Sequence, residues 1–156
     1  MIYSTADQLS SIKNKNMRLL GIDYGKRYIG LAISDLSWTL TRALPVFDTQ
    51  KLSIFSYLQA LITQENIGAI VVGDPKHMNG DVGELCQKVH QFCQKLSHQT
   101  HVPITRFDER MTSIMAEEHM IMDHMSRAKR KEKVDSIAAC YILQGFLDHF
   151  CLKALK

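Results

Sequence analysis

A continuous apolar run in the middle of the chain restricts its fold more than any other feature. Residues 69–73 read AIVVG, without the alternation of apolar and polar residues that marks a strand open to water on one side. Such a run is typical of a strand that is covered on both faces of its sheet. Because helices supply that cover in layered folds, the run predicts helices packed on a central sheet.

Shorter apolar patterns predict the remaining elements. Four further runs predict strands, at residues 18–22, 29–33, 42–47 and 102–108. Pro45 favours an edge position for its strand, because proline cannot donate a ladder hydrogen bond. Helical spacing of apolar residues predicts helices at residues 54–66, 81–97, 112–125 and 132–153. The order βββ-α-β-α-β-α-α predicts an α/β fold with one mixed sheet.

Length and composition fit a single globular domain. The chain has 156 residues, of which 46% are apolar and 22% charged, so enough apolar surface is available to offset the entropy of the chain. No apolar run approaches the roughly 20 residues needed to cross a bilayer, so we expect no membrane partner. Residues 1–16 show no firm period and predict a flexible tail, followed by one domain over residues 17–156.

The cysteines indicate a reducing compartment. They form no C-x-x-C pair, and the N-terminal segment lacks the apolar region of a secretory signal peptide. Free thiols and a cytoplasmic location are therefore expected. Cys86 and Cys93 lie on the apolar face of the predicted helix at 81–97, which predicts that they are small core residues.

Acidic residues in apolar surroundings are the clearest functional signal. They are Asp23 at the end of the first strand, Asp108 and Glu109 at the end of the last strand, and Asp135 in the last helix. Asp135 has alanines three and four positions later, which would let its helix approach the sheet closely. Carboxylates that converge in an apolar site repel one another unless a cation offsets their charge. Since carboxylate oxygens suit Mg²⁺ or Mn²⁺, their joint occurrence predicts a metal site.

Each of these acids also has a structural interpretation. Asp23 precedes Tyr24-Gly25 and is suited to form a turn. Asp108 is suited to pair with Arg110 or to cap a helix. Asp135 is suited to the positive N-terminal end of its helix.

Cations near the acids predict a polyanionic partner. The loop after the first strand combines Lys26 and Arg27 with glycines and aromatic rings, which suits contact with phosphate. Residues 126–133 (SRAKRKEK) carry five cations against one acid, in a chain whose net charge is +3. This segment is either a solvated surface loop or a clamp on a nucleic-acid backbone. The candidate contacts are Lys26, Arg27, Arg110, Arg127, Lys129, Arg130, Lys131 and Lys133.

Four motifs occur in a fixed order over about residues 17–150. They are Asp23-Tyr24-Gly25-x-x-x-x-Gly30, Gly73-x-Pro75-x-x-Met78-Asn79-Gly80, Asp108-Glu109-Arg110-x-Thr112-Ser113-x-x-Ala116 and Lys133-Val134-Asp135-x-x-Ala138-Ala139-x-x-Ile142-Leu143. Together they resemble the YqgF (RuvX) family of pre-16S rRNA nucleases, which is related to the RuvC Holliday-junction resolvases.

The resemblance implies both a fold and a function. The fold would be RNase H-like, with three antiparallel strands followed by two that are parallel to the first. The function would be that of a metal-dependent hydrolase of the cytoplasm, which processes the 5′ end of the 16S rRNA precursor in ribosome biogenesis. The catalytic and metal-binding residues would be Asp23, Glu109 and Asp135, with Asp108 as the alternative to Glu109. They would hold one or two Mg²⁺ or Mn²⁺ ions.

One position departs from the family pattern. Asp74 stands where the family usually has an apolar residue, between Gly73 and Pro75. It is either a further metal ligand or a surface residue.

Other functions remain open from the sequence. The same acids would serve a Holliday junction resolvase-like DNase acting on branched DNA, which needs two active sites and would favour a homodimer over a monomer. A second alternative is an RNA-binding ribosome-assembly factor without catalytic activity. An ATPase of the actin and sugar-kinase class needs two domains of this type, whereas 156 residues supply one.

Overall fold

Nine elements form the parts of the chain that the computed structural model describes, which are residues 6–75, 83–108 and 127–154. In chain order they are α1 (Ala6–Asn14), β1 (Arg18–Asp23), β2 (Tyr28–Ser34), β3 (Thr41–Asp48), α2 (Ile54–Gln64), β4 (Ile67–Asp74), α3 (Glu84–Thr100), β5 (Ile104–Asp108) and α4 (Arg127–Ala154). The five strands predicted from the apolar runs are all present.

The strands form one mixed sheet in the order β3-β2-β1-β4-β5. Strand β2 is antiparallel to both β1 and β3, whereas β4 is parallel to both β1 and β5. The predicted arrangement of three antiparallel strands followed by two parallel ones is therefore confirmed. Strand β3, which contains Pro45, lies at the edge of the sheet, as predicted.

Both faces of the sheet are covered. Because successive side chains of a strand point to opposite faces, Leu20 and Ile22 of β1 join a cluster with α2 and α3, while Leu19 joins a second cluster with α1 and α4. We call these sides the α3 face and the α4 face. Every residue of β4 is buried, which explains the continuous apolar run at 69–73.

Helix α4 packs closely on β1 where both carry small residues. A Cβ atom at Gly21 would lie 2.8 Å from Cβ of Leu143 and 3.2 Å from the carbonyl oxygen of Ala139. Ala139 is itself fully buried. The close approach predicted from the paired alanines is confirmed, and it fixes the distance between the helix and the strand that ends in Asp23.

The N-terminal segment differs from the predicted flexible tail over residues 1–16. Residues Ala6–Asn14 form α1, whose Leu9 is only 5% exposed. Ile12 packs against Gly68 so closely that a side chain at Gly68 would collide with it. This helix was not predicted, because its docking depends on two apolar residues that are too few to give a recognisable period.

The last helix begins earlier than the sequence predicts. Helix α4 starts at Arg127, so residues 127–133 form its first turns and not a loop ahead of it. Arginine, lysine, alanine and glutamate all have high helix propensity, which explains the extension. The helix predicted at 112–125 lies outside the described residues. None of the helices in the described ranges, α4 with its 28 residues included, has an apolar stretch suited to span a membrane.

The cysteines of α3 are core residues, as predicted. Cys86 and Cys93 are free thiols and both are buried. Burial raises the pKa of Cys93 to about 11. Cys93 therefore stays protonated near neutral pH, and it is unreactive because the thiolate is the reactive form.

The packing of α4 on β1 gives a stability prediction. We expect Gly21→Ala to lower the free energy of unfolding by about 1–3 kcal/mol, because the added methyl group overpacks the contact with Leu143. Urea unfolding followed by circular dichroism measures this difference.

Gly145→Ala is the matched control, because it adds a methyl group to the same interface. Its Cβ would lie 3.0 Å from Cε1 of Phe107, which is the far end of a side chain, and alanine improves helix propensity by up to about 1 kcal/mol. We expect little loss of stability. Equal losses in the two variants would contradict the argument.

Candidate active site

Asp23 stands at the end of the central strand β1, on the α4 face. Leu19 belongs to the cluster with α4, and Gly21 contacts α4 directly. Asp23 follows them in the same alternation. It is half-buried and pairs in register with Gly30 of β2.

Helix α4 runs antiparallel to β1, as contacts at two levels show. Near the start of β1, the indole of Trp38 donates a 2.9 Å hydrogen bond to the carbonyl of Met17, and its ring centroid lies 5.3 Å from that of Phe150. Four residues further along the strand, Gly21 lies against Ala139. Moving along β1 therefore corresponds to moving back along α4.

The same geometry brings the Asp135 position to the level of Asp23. A strand rises about 3.3 Å per residue, so Asp23 lies about 7 Å beyond Gly21. A helix rises about 1.5 Å per residue, so the same distance corresponds to between four and five residues of α4. Counting back from the stretch of α4 between Ala139 and Leu143, which packs on Gly21, leads to the turn of helix that begins at Asp135.

Asp108, at the end of β5, alternates to the other side of the sheet. Phe107 faces α4, since its ring contacts Gly145 and stands 6.1 Å from the ring of Phe146. Asp108 therefore belongs to the α3 face, where it is paired in register with Asp74. Glu109 lies outside the described residues.

Asp74 forms a buried ion pair on the α3 face. Its Oδ1 atom lies 2.5 Å from Nη2 of Arg106 and accepts a 3.0 Å hydrogen bond from the thiol of Cys86. Asp74 is 8% exposed, so the alternative that it is a surface residue is wrong. The structure does not bring Asp74 to Asp23, because the two side chains point to opposite faces of the sheet.

The thiol of Cys86 is part of this arrangement. Burial and the hydrogen bond to the Asp74 carboxylate raise the pKa of Cys86, while Arg106 acts in the opposite direction. The thiol therefore stays protonated and serves as a donor to Asp74. This partnership could not be predicted from the sequence, because Arg106 is 32 residues from Asp74 and contacts it only through the register of β4 and β5.

Hydrogen bonds to its backbone carbonyl oxygens hold the loop between β1 and β2 in place. Thr49 donates its hydroxyl to the carbonyls of Lys26 and Arg27, at 3.0 and 2.9 Å, and its N–H to Arg27 at 2.8 Å. A side chain at Gly25 would collide with the carbonyl oxygen of Tyr28. The loop therefore has a fixed path close to Asp23.

The two cations of this loop are exposed. The guanidinium of Arg27 lies 5.0 Å from the centre of the Tyr28 ring and 3.8 Å from the carboxylate of Asp48, with 54% of its side chain exposed. Lys26 is also exposed. Both are accessible to a phosphate group.

Other predicted contacts occupy the first turns of α4 or lie outside the described residues. The α4 positions are Arg127, Lys129, Arg130, Lys131 and Lys133. Since these turns precede Asp135, they lie at the end of the sheet where β1 ends. Arg110 is outside the described residues.

The candidate metal ligands of this site are carboxylates. Among the residues whose side chains the structure describes, no three acidic, histidine or cysteine side chains come together as ligands, and neither Glu109 nor Asp135 belongs to that set. Asp23 and the Asp135 position lie at one level along β1 and α4, and carboxylate oxygens are hard donors that suit Mg²⁺ or Mn²⁺. A third carboxylate is available from Glu109 in the sequence.

Comparison with known proteins gives consistent results. A family described as RuvX, Holliday junction resolvase, matches residues 17–149. Proteins named "Putative pre-16S rRNA nuclease" are similar along most of their length. The protein from Clostridium tetani is 42% identical over 133 residues, which are 85% of this chain and 96% of that protein. The protein from Bartonella bacilliformis is 34% identical over 149 residues, which are 95% of this chain and 92% of that protein.

A solved structure has the same fold. The T. thermophilus RuvC in complex with a Holliday junction substrate superimposes with a TM-score of 0.53, over 88% of this chain and 96% of that one, at 19% identity. The RNase H-like arrangement predicted for the sheet and its helices is confirmed.

The ion pair on the α3 face gives a second stability prediction. We expect Asp74→Asn to lower the free energy of unfolding by about 2–4 kcal/mol, because Arg106 keeps its charge in a largely buried position. Urea unfolding measures the loss. Glu84→Gln is the control, since it removes an exposed ion pair with Lys88 at 3.0 Å and should change stability little. A similar loss in both variants would argue against the buried pair.

Proposed function

The chain belongs to the RuvX family, and we propose on this basis that it is a metal-dependent endonuclease that processes the 5′ end of the 16S rRNA precursor. The names of its relatives and its RuvC-like fold support a nuclease role. The observation that carries the proposal is the antiparallel packing of α4 on β1, which supports a shared site for Asp23 and Asp135.

The proposed catalytic set is Asp23, Glu109 and Asp135. Glu109 is preferred to Asp108 because Asp108 belongs to the α3 face, opposite to Asp23. Asp74 is left out of the set, since Arg106 already offsets its charge on the α3 face.

Each proposed residue has a distinct task. The three carboxylates would hold one or two Mg²⁺ or Mn²⁺ ions, which when bound supply an activated water and offset charge on the leaving oxygen. Lys26 and Arg27 would hold phosphates of the strand close to Asp23. The hydrogen bonds from Thr49 to the loop carbonyls would keep these cations in position.

The substrate assignment rests on the relatives, whose name specifies pre-16S rRNA. These relatives also support the proposed location in the cytoplasm. Branched DNA is the second candidate, because the family description and the superimposed RuvC complex both name Holliday junctions. Cleavage of a four-way junction needs two active sites and therefore a homodimer, whereas trimming of an RNA end needs only a monomer.

Asp23→Asn tests the nuclease assignment. We expect it to reduce cleavage of a pre-16S rRNA fragment by about 100-fold or more in Mg²⁺ or Mn²⁺, because it removes charge from the proposed metal site. The measurement is a gel-based cleavage assay with a parallel assay on junction DNA, and urea unfolding checks that the fold is retained.

Asp148→Asn is the matched control, since it removes an exposed carboxylate from α4 outside the proposed site. It should cleave as the unaltered protein does. Unchanged cleavage by Asp23→Asn would refute the assignment. RNA binding in EDTA without any metal-dependent cleavage would favour the non-catalytic assembly factor.

The basic turns of α4 give a separate prediction. Replacing Lys129, Arg130 and Lys131 together by glutamine should weaken RNA binding and lower the slope of log affinity against log salt by up to about 2, because each lost phosphate contact on a single strand removes about 0.7. Fluorescence anisotropy at several salt concentrations measures the slope.

A charge-conserving triple variant is the control for this segment. Lys129→Arg, Arg130→Lys and Lys131→Arg keep the cations and the helix propensity, and should retain the slope. A neutral triple variant with an unchanged slope would show that these turns of α4 do not contact phosphate.

A further inference from the structure

A pocket of about 240 Å³ opens on the α3 face, beside the loop that follows Asp23. The loop, α2 and α3 all contribute to its wall. Three aromatic rings and three lysines line it: Tyr24, Phe55, Phe92, Lys26, Lys88 and Lys95. The pocket is smaller than the roughly 300–1,000 Å³ of clefts that take drug-sized ligands, so its size suits one small planar group.

The three rings form one continuous aromatic surface. The ring centroid of Phe92 lies 4.9 Å from that of Tyr24 and 5.9 Å from that of Phe55. Phe92 is 5% exposed and forms the base of the surface, while Tyr24 and Phe55 are only partly buried. Partly exposed rings of this kind are the surfaces on which unpaired bases stack.

The lysines give the pocket a strongly positive rim. None of the described residues that line it is acidic. Lys88 pairs with the carboxylate of Glu84, which lies 3.0 Å from its Nζ atom and whose side chain is 82% exposed. The hydrogen bond and charge of Lys88, with a further contribution from Lys26, hold the pKa of Glu84 below its usual range. The positive charges of Lys88 and Lys26 therefore both act on the Glu84 carboxylate. An exposed ion pair such as Lys88–Glu84 contributes little to stability, so a phosphate group can replace Glu84 as the partner of Lys88.

The pocket is directly connected to the candidate active site through the chain. Tyr24 follows Asp23, and their Cα atoms are about 3.8 Å apart across one peptide bond. The Tyr24 ring packs on the α3 face, while Asp23 belongs to the α4 face. A strand that crosses this end of the sheet can therefore reach both faces with neighbouring nucleotides.

We propose that the pocket binds one unpaired nucleotide of the substrate strand, next to the phosphate that is cleaved at Asp23. Its base stacks on Tyr24 and Phe55, and its phosphates contact Lys26, Lys88 and Lys95. This subsite rests on the proposed nuclease function. It requires an unpaired base at this point, so a continuous duplex cannot use it.

Binding of single-stranded RNA to the full chain in EDTA tests the subsite without cleavage. The probe is a labelled strand of about six nucleotides, within the site sizes of single-strand binding folds, and the readout is fluorescence anisotropy at several salt concentrations. Lys95→Gln should lower the salt slope by about 0.7. Lys15→Gln is the matched control, an exposed lysine that follows α1 at the opposite end of β1, and should leave the slope unchanged.

Stacking is tested on the RNA and on the protein. A strand that carries abasic sites should bind the unaltered protein about tenfold more weakly than the complete strand. Phe55→Leu should weaken binding of the complete strand by a similar factor and leave binding of the abasic strand unchanged. The abasic strand needs no variant, so it keeps the test decisive even if Phe55→Leu fails to fold.

The outcomes separate the subsite from the proposed function. Equal salt slopes for Lys95→Gln and Lys15→Gln, or equal affinity for the complete and abasic strands, would overturn the subsite even if Asp23-dependent cleavage is observed. A free mononucleotide that binds as tightly as the strand would assign the pocket to a small ligand and overturn it as well. Unchanged cleavage by Asp23→Asn would refute the nuclease assignment instead. The binding measurements would then still show whether the pocket binds a nucleotide.

Discussion

The contact between Gly21 and α4 is the constraint on which the rest of the candidate site depends. With a hydrogen atom as the side chain of Gly21 and alanine at position 139, helix and strand approach until Cβ of Leu143 nearly fills the gap. This close approach of the two backbones favours a carboxylate on the strand and one on the helix sharing an ion. Gly21 and Ala139 therefore determine the distance between β1 and α4, and with it the distance between the acidic residues that the two elements carry.

Negative charge on the two faces of the sheet is offset by different kinds of cation. On the α3 face, the chain supplies its own cation, since Arg106 reaches Asp74 across neighbouring parallel strands. On the α4 face, the proposed carboxylates come from a strand and a helix, and the cation is proposed to be a metal ion. An acid with a permanent internal partner contributes to stability, whereas acids that share an exchangeable cation are available for catalysis.

Much of this arrangement was predictable from the sequence, and the exceptions have physical causes. The apolar run at 69–73 predicted the layers, Pro45 predicted the edge strand, and the alanines after Asp135 predicted a close helix. The role of Asp74 was not predictable, because strand register, which the sequence does not encode locally, brings Arg106 to it. Docking of α1 was also not predicted. It depends on a contact between residues distant in sequence, because Ile12 packs where a side chain at position 68 would otherwise lie.

Trp38 is the only tryptophan of the chain, and it is 1% exposed at the point where the start of β1 meets the C-terminal half of α4. Its indole emission therefore depends on whether this helix is seated on the sheet. The protein carries an intrinsic optical reporter of helix docking at the end of the sheet remote from the candidate active site. Loosening of the scaffold and loss of chemistry can be observed separately in the same unlabelled sample.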